Sequence, residues 1–418
     1  MNRRGNPVAS RRLLLSAAAA AGVVGPARAA GNTENQPPNQ PEWGRSLGPG
    51  VIEEPYGTRS RHETSVRRYV PWLTPDRVSS VSFTPLAEQQ GIITPAGLHF
   101  ERHHGGVPDV DPTDYRLMIH GLVERPLIFT LEDLKRLPAV SRIVFIECPA
   151  NGGMEWRGAQ MSGVQFTHGM ISCSEWTGVS LGQLLAQCGL RAGASWLLAE
   201  GGDASHLTRS IPLAKALDDV IVAYAQNGEA VRPQQGYPVR LVVPGWEGNV
   251  WVKWLRRIEV GDRPWFTRWE TRGYTDLMPN GLSRQFTFVN EVNSVITYPC
   301  PEKPLTGRPG FVEIGGFAWS GAGQVTRVDV SVDGGDTWRT AQLQEPVLSK
   351  AMTRFRIPWE WREGQRAFLQ SRAMDDTGRV QPPLPRLREA RGVESVYPKN
   401  SIQTWLVEPD GTVANVQI

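Results

Sequence analysis

The chain has 418 residues, a net charge of +3, 43 glycines, 33 prolines and four cysteines. That length suits two to three domains at about 150 residues each, and four scattered cysteines exclude a disulfide-stapled mini-protein. Arg3, Arg4, Arg11, Arg12 and Arg28 stand in a stretch without an acid, so subtracting five from +3 leaves −2 for the other 389 residues. That balance excludes a basic footprint for nucleic acid or an anionic membrane.

In chain order, residues 1–29 read as an export address. Ser10-Arg11-Arg12-Leu13 is a twin-arginine pattern, an apolar run follows to Val24, and Ala27-Arg28-Ala29 is a small-x-small cleavage site. The run has 12 residues, whereas crossing a bilayer takes about 20, so no membrane span is expected. The twin-arginine route carries folded proteins, which suits a cofactor loaded before export to the periplasm. Residues 30–75, rich in Pro, Gly, Asn and Glu, read as an extended arm that either wraps a partner or trails as a leader.

Residues 76–289 mix short strands with helical patterns, as an α+β domain does. Strands are expected over 115–120, 142–147, 239–243 and 250–255. Helices are expected over 130–137, with Thr130 as N-cap, and 179–186, with Ser180 as N-cap. Residues 290–418 alternate with period two over 311–319, 325–332 and 366–373, with a hairpin turn at Asp333-Gly334-Gly335-Asp336. Short strands, frequent turns and no helix predict an immunoglobulin-like β-sandwich.

The residues that carry chemistry cluster in four places. Glu101-Arg102-His103-His104 is a polar knot in which Arg102 suits an oxyanion. Cys148 ends a strand before Pro149-Ala150-Asn151-Gly152-Gly153, where it reads as a nucleophile, a soft-metal ligand or a small buried hydrophobe. No second cysteine or histidine pair lies at zinc spacing. Arg240 and Lys253 flank the turn Pro244-Gly245-Trp246-Glu247-Gly248-Asn249, a candidate anion nest. Tyr274 follows Thr271-Arg272-Gly273. No dinucleotide fingerprint, Walker loop or Cys-x-x-Cys-His is present.

Together these pieces resemble the sulfite oxidase family of molybdenum enzymes. Phe100-Glu101-Arg102-His103-His104 is similar to its Phe-x-Arg-Asn-His, and Cys148-Pro149-Ala150-Asn151 to its Cys-x-Gly-Asn turn. Pro238-Val239-Arg240, Pro244-Gly245, Gly248 and Val252-Lys253-Trp254 match its cofactor segment. Ala318-Trp319-Ser320-Gly321 and the Asp333 turn resemble its C-terminal dimerisation domain. Tyr274-Thr275-Asp276-Leu277-Met278-Pro279 and Arg284-Gln285-Phe286 look most like the SoxC-type sulfane dehydrogenase subunits of bacterial sulfur oxidation.

The resemblance implies a sulfite-oxidase-like molybdopterin domain and a Mo-pyranopterin cofactor with Cys148 as the metal's thiolate. It implies Arg102 and Tyr274 at the substrate, and His103, His104, Asn151, Trp176, Asp203, Gln235, Arg240, Gly248 and Lys253 as cofactor contacts. It further implies a dihaem c-type cytochrome as electron acceptor, no haem in this chain, and a sulfur-carrier protein as substrate. Assembly is expected as a homodimer through the C-terminal domain or a heterotetramer with the cytochrome. Periplasmic oxidation of free sulfite and a non-catalytic scaffold are the competing readings. Two positions depart from the pattern: Gly152-Gly153 stand where sulfite oxidases have arginine, and Gln235 where the family has histidine.

Overall fold

The computed structural model describes residues 57–69 and 80–418. The expected signal segment and most of the arm therefore lie outside the described residues. Residues 57–63 belong to a separate unit and form an exposed stretch with a turn closed by Glu63 N–H donating to Ser60 O at 3.0 Å. Everything below concerns the unit Thr64–Ile418.

Two sheets, one antiparallel and one mixed, build its first half. One sheet joins Ala139–Glu147, Ile171–Ser180 and Ile221–Gln226 in antiparallel order, with Arg240–Val242 also pairing to Ile221–Gln226. The other runs Leu127–Phe129, Leu117–Gly121, Leu255–Gly261, Trp196–Gly201, Thr208–Pro212, with a parallel step between Leu117–Gly121 and Leu255–Gly261. The helix Leu131–Arg136 begins with a reciprocal capping box: Thr130 Oγ1 accepts from Asp133 N–H at 3.1 Å and Asp133 Oδ2 accepts from Thr130 N–H at 2.9 Å. Leu181–Cys188 also forms, but Ser180 makes no side-chain cap; it is the last residue of a strand, whose geometry hands directly into the helix.

The second half consists of two antiparallel sheets. Asn293–Tyr298, Gly310–Trp319, Thr353–Trp361 and Gln342–Gln344 form one; Arg339–Thr340, Val325–Ser331, Ala367–Asp375, Thr404–Val407 and Val413–Val416 form the other. Val295, Ile314, Phe317 and Phe355 from the first meet Val328, Leu369 and Trp405 from the second in one core. The expectation of no helix here is corrected by Leu384–Arg391, whose Leu384, Leu387 and Arg391 share a buried face. Its Pro385 sits in the first turn, where a missing N–H costs nothing.

A second correction concerns 250–255. Only Leu255 begins a strand; Gly248–Val250 is a 3-10 turn and Trp254 holds a left-handed φ of 50°. The stretch still touches Arg240–Val242, since Leu241 N–H donates to Val252 O and Leu255 N–H to Val239 O. Val250, Trp251, Val252 and Trp254 are all buried. A segment buried on both sides does not need the pleat that alternation implied.

The strand Ala139–Glu147 positions the chemistry. Its side chains alternate between two cores: Val144, Ile146 and Cys148 pack with the first domain, and Phe145 packs with the C-terminal sandwich. Period two thus fixes which face receives the thiol.

Candidate active site

The strand stops at Cys148 because Pro149 has no N–H to continue the ladder. Cys148 N–H makes the last bond, to Met170 O at 3.0 Å, and Asn151 N–H then closes a turn on Cys148 O at 2.9 Å. Gly152 follows at φ 71°, a left-handed conformation that suits glycine. Cys148 lines a cavity. Burial pushes the thiol up to about 11, opposed by the Ala150 backbone and by Arg102.

Ten of the twelve residues expected at the site line this cavity: Arg102, His103, His104, Cys148, Asp203, Gln235, Arg240, Gly248, Lys253 and Tyr274. They come from five separate chain segments, so only folding brings them together. Gly248 has to be small: a Cβ there would stand 3.0 Å from Glu147 O and 3.2 Å from Ile146 Cγ1, so the turn abuts the cysteine strand directly.

Two histidines are held neutral by burial, aided by the cations Lys253 and Arg102 beside them. His103 takes Lys253 Nζ–H on Nδ1 at 2.7 Å and faces Glu101 Oε2 with Nε2 at 3.2 Å. A donor on one side and a carboxylate on the other select the Nε2–H tautomer. His104 Nε2 lies 3.1 Å from Tyr274 Oη. Lys253 Nζ also donates to Arg102 O at 2.9 Å and Gln234 O at 3.0 Å.

Arg240 is clamped rather than exposed. Nη1 donates to Gln235 O at 3.0 Å, Nη2 to Trp251 O at 3.2 Å, and the guanidinium stacks 4.8 Å from the Trp176 ring. Burial pulls it down to about 9. Gln235 Nε2 in turn donates to Phe100 O at 2.9 Å, tying this loop to the Arg102 segment. Asp203 is buried and accepts from Ser205 Oγ at 2.5 Å.

Asn151 and Trp176 do not line the cavity. Asn151 braces the cysteine turn, donating to Glu147 Oε1 at 2.8 Å and accepting from Met170 N–H at 3.1 Å. Trp176 lies behind Arg240 and meets Trp251 edge-on at 6.1 Å. Sequence reasoning missed Asn249 and Trp251, which line the wall, although both fall within or beside the Gly-rich turn it singled out. It also missed Arg209, a buried guanidinium 5.0 Å from the Tyr274 ring, for which no sequence pattern gave a signal.

Residues 104–269 match the oxidoreductase molybdopterin binding domain, and residues 284–404 match the Mo-co oxidoreductase dimerisation domain. The crystal structure of the sulfane dehydrogenase SoxCD from Paracoccus pantotrophus superposes with a TM-score of 0.87 at 51% identity, covering 91% of this chain and 98% of that one. The chain belongs to the sulfite oxidase family of molybdenum enzymes. Mitochondrial sulfite oxidase of Mus musculus is 35% identical over 324 residues, and nitrate reductase [NAD(P)H] of Hordeum vulgare is 34% identical over 310. The alignments span 70% and 66% of this chain but only 58% and 34% of those relatives' lengths.

The cavity suits the family's cofactor. Arg102, Arg240 and Lys253 line it against the single acid Asp203, a surplus of positive charge for an anionic group. Arg240 Nε and Asn249 Oδ1 are buried with no hydrogen-bond partner among the described residues, which is costly unless a ligand supplies one. Among the described residues no three His, Cys, Asp or Glu side chains are grouped to hold a bare metal ion. A metal beside Cys148 would therefore bring further donors with it, as a pterin dithiolene does. No helix among the described residues is long and apolar enough to cross a membrane.

Proposed function

We propose that the chain is the molybdopterin subunit of a periplasmic sulfane dehydrogenase, oxidising sulfane sulfur held on a carrier protein and passing electrons to a c-type cytochrome. The observation that carries this is the likeness to SoxCD at 51% identity over 98% of that chain's length. The twin-arginine pattern at Arg11-Arg12 supports export as a folded, loaded protein. The match to a dimerisation domain supports assembly as a homodimer or as a heterotetramer with the cytochrome.

When bound, the molybdenum–pterin group supplies two-electron oxidation coupled to oxygen transfer. Cys148 would hold the metal as a thiolate. Burial alone keeps the thiol protonated, so a cation has to displace the proton, with the field of Arg102 assisting. Arg240, Lys253, Asn249 and neutral His103 would hold the anionic and hydrogen-bonding parts of the pterin. Arg102 and Tyr274 would orient the sulfur end of the substrate, with Tyr274 Oη fixed by His104 at 3.1 Å. Domain boundaries near 76–289 and 290–418 accompany this reading.

A sulfane substrate in place of free sulfite is supported by Gly152 and Gly153, which carry no cation at the positions where sulfite oxidases have arginine. At Gly152 a Cβ would stand 2.9 Å from Lys399 Cβ, so a larger residue has no room without a shift. Steady-state rates with a carrier persulfide and with sulfite, using a c-type cytochrome as acceptor, test the assignment. The proposal expects higher kcat/KM on the persulfide; faster sulfite turnover would replace it with sulfite oxidation.

A further inference from the structure

The segment carrying Arg102, His103 and His104 runs along the inner side of a small two-stranded layer and joins it by one isolated bridge. His103 N–H donates to Ser80 O at 3.0 Å, and Val81 bridges Arg102 antiparallel. Ser82 clamps this segment twice: its N–H donates to Glu101 O at 3.0 Å, and its Oγ accepts from Glu101 N–H at 2.9 Å. On the outside of this layer sits the only described part of the expected arm that belongs to this unit. Arg68 and Tyr69 pair with Phe83 and Ser82. Gln165, itself buried, holds the arm by donating to Val66 O and Phe83 O, both at 2.9 Å.

From that outer position Arg67 reaches across the layer and pairs with Glu101. Glu101 is buried and uses its other oxygen for His103 Nε2 at 3.2 Å. His103 Nδ1 accepts from Lys253 Nζ at 2.7 Å. A continuous polar chain thus runs from the arm to a cation lining the cavity: Arg67, Glu101, His103, Lys253. Each member constrains the next. A carboxylate with a fixed cation on one oxygen keeps its other oxygen turned to His103, that contact sets the imidazole tautomer, and the tautomer leaves Nδ1 as an acceptor that aims the lysine.

We propose that Arg67 is a positioning residue for the cofactor pocket, and that seating the arm segment Val66–Tyr69 locks Lys253 and His103 in the orientation that retains the pterin. The proposal rests on reading His103 and Lys253 as cofactor contacts. Its second readout, on cofactor-stripped protein, stands apart from that reading.

The test compares wild-type, Arg67→Ala and Arg67→Lys proteins purified as the full exported chain. Pterin release is followed by fluorescence after dilution, and Lys253 acetylation by acetic anhydride is followed by mass spectrometry on cofactor-stripped protein. Arg67→Ala is expected to release pterin about tenfold faster, the scale of one lost charge-assisted hydrogen bond, and to acetylate Lys253 faster. Its melting temperature should fall, because Glu101 is buried and loses its cation, so both rates are read well below the melting range of each variant. Arg67→Lys restores the cation and should return both rates to within about twofold. Release and labelling unchanged in Arg67→Ala would overturn the proposal, as would a lysine variant as defective as alanine. Should Arg67→Ala fail to fold, Arg67→Gln carries the same expectation, and wild-type rates in it would overturn the proposal equally. If wild-type protein carries no pterin, the labelling arm alone decides.

Discussion

The two faces of the strand Ala139–Glu147 differ in charge and in how their buried polar groups are used. Towards the C-terminal sandwich closed networks form around Gln381 and Glu147, although Thr353 Oγ1, Asn400 Oδ1 and Ser401 Oγ are buried there without hydrogen-bond partners among the described residues. Gln381 uses its whole amide: Nε2 donates to Asn293 Oδ1 at 2.8 Å and Ser294 O at 3.2 Å, and Oε1 accepts from Ser294 Oγ at 2.6 Å and Ala373 N–H at 3.2 Å. Glu147 likewise closes on Asn151 at 2.8 Å and on Trp319 Nε1 at 2.9 Å. Towards the cavity, Arg240 Nε and Asn249 Oδ1 stay without partners among the described residues, and cations outnumber acids. A closed polar network specifies packing, whereas an open one with surplus charge marks where a ligand completes the fold. The thiol of Cys148 lies on the open side and the brace that holds its turn on the closed side.

The comparison breaks most severely at Cys148. Cys148→Ser should lower turnover by at least about a thousandfold, since the metal loses its only thiolate from the chain. Its melting temperature should stay within a few degrees of wild type, because the swap is nearly isosteric. Loss of a sulfur-ligand absorption band checks this alongside kcat.

Arg240→Met probes the open side. Pterin affinity should fall by about a hundredfold, the scale of two or more charge-assisted contacts. Stability should fall by about 1–3 kcal/mol, because Gln235 O and Trp251 O lose their donor, but the loss of pterin should exceed what that destabilisation explains. Gln381→Ala is the mirror case. It should destabilise by about 2–3 kcal/mol in denaturant melts, leaving buried partners unpaired, with molybdenum per folded chain unchanged. If the two variants exchanged phenotypes, the contrast between the faces would be wrong.

Lys399, buried where its backbone N–H donates to Asn151 O, tests the junction of the two faces. Burial pulls its ammonium down to about 8, with Glu155 opposing and Arg388 assisting. A base depressed in the folded state carries its full penalty below pH 8, where both states are protonated. Between pH 8 and about 10.5 the folded state gives up its proton first, so the unfolded state binds more protons and stability rises with pH. Wild type should gain about 2 kcal/mol from pH 8 to 10 relative to Lys399→Met. Parallel pH profiles for the two proteins would remove the effect. Smallest of all, Tyr274→Phe should cost about tenfold in kcat/KM through one lost hydrogen bond to substrate, with metal content intact.

Much of this contrast was legible along the chain, and for identifiable reasons. Cys148 was readable because a strand pattern, a proline and two glycines are local signals; which core it faces came only from the structure. Arg240 and Lys253 were readable because the turn between them is rich in glycine. Asn151 and Trp176 were legible as important but not as to where they act: bracing a turn and stacking behind a guanidinium are tertiary relations. Arg209 was invisible for the same reason, since its contact with Tyr274 joins residues far apart in sequence. The segment 250–255 misled because alternation reports burial on one face, and this segment is buried on both. The helix Leu384–Arg391 went unread among the strand patterns around it; its Pro385 stands in the first turn, which accepts proline.

The most direct test of the central claim is molybdenum content by mass spectrometry on protein purified from a host that makes the cofactor, with Cys148→Ser measured beside it. About one molybdenum per chain in wild type, with the sulfur-ligand band absent from the variant, is the predicted result. No molybdenum in wild type would contradict the assignment of the cavity, and with it the roles proposed for Cys148, Arg240 and Lys253.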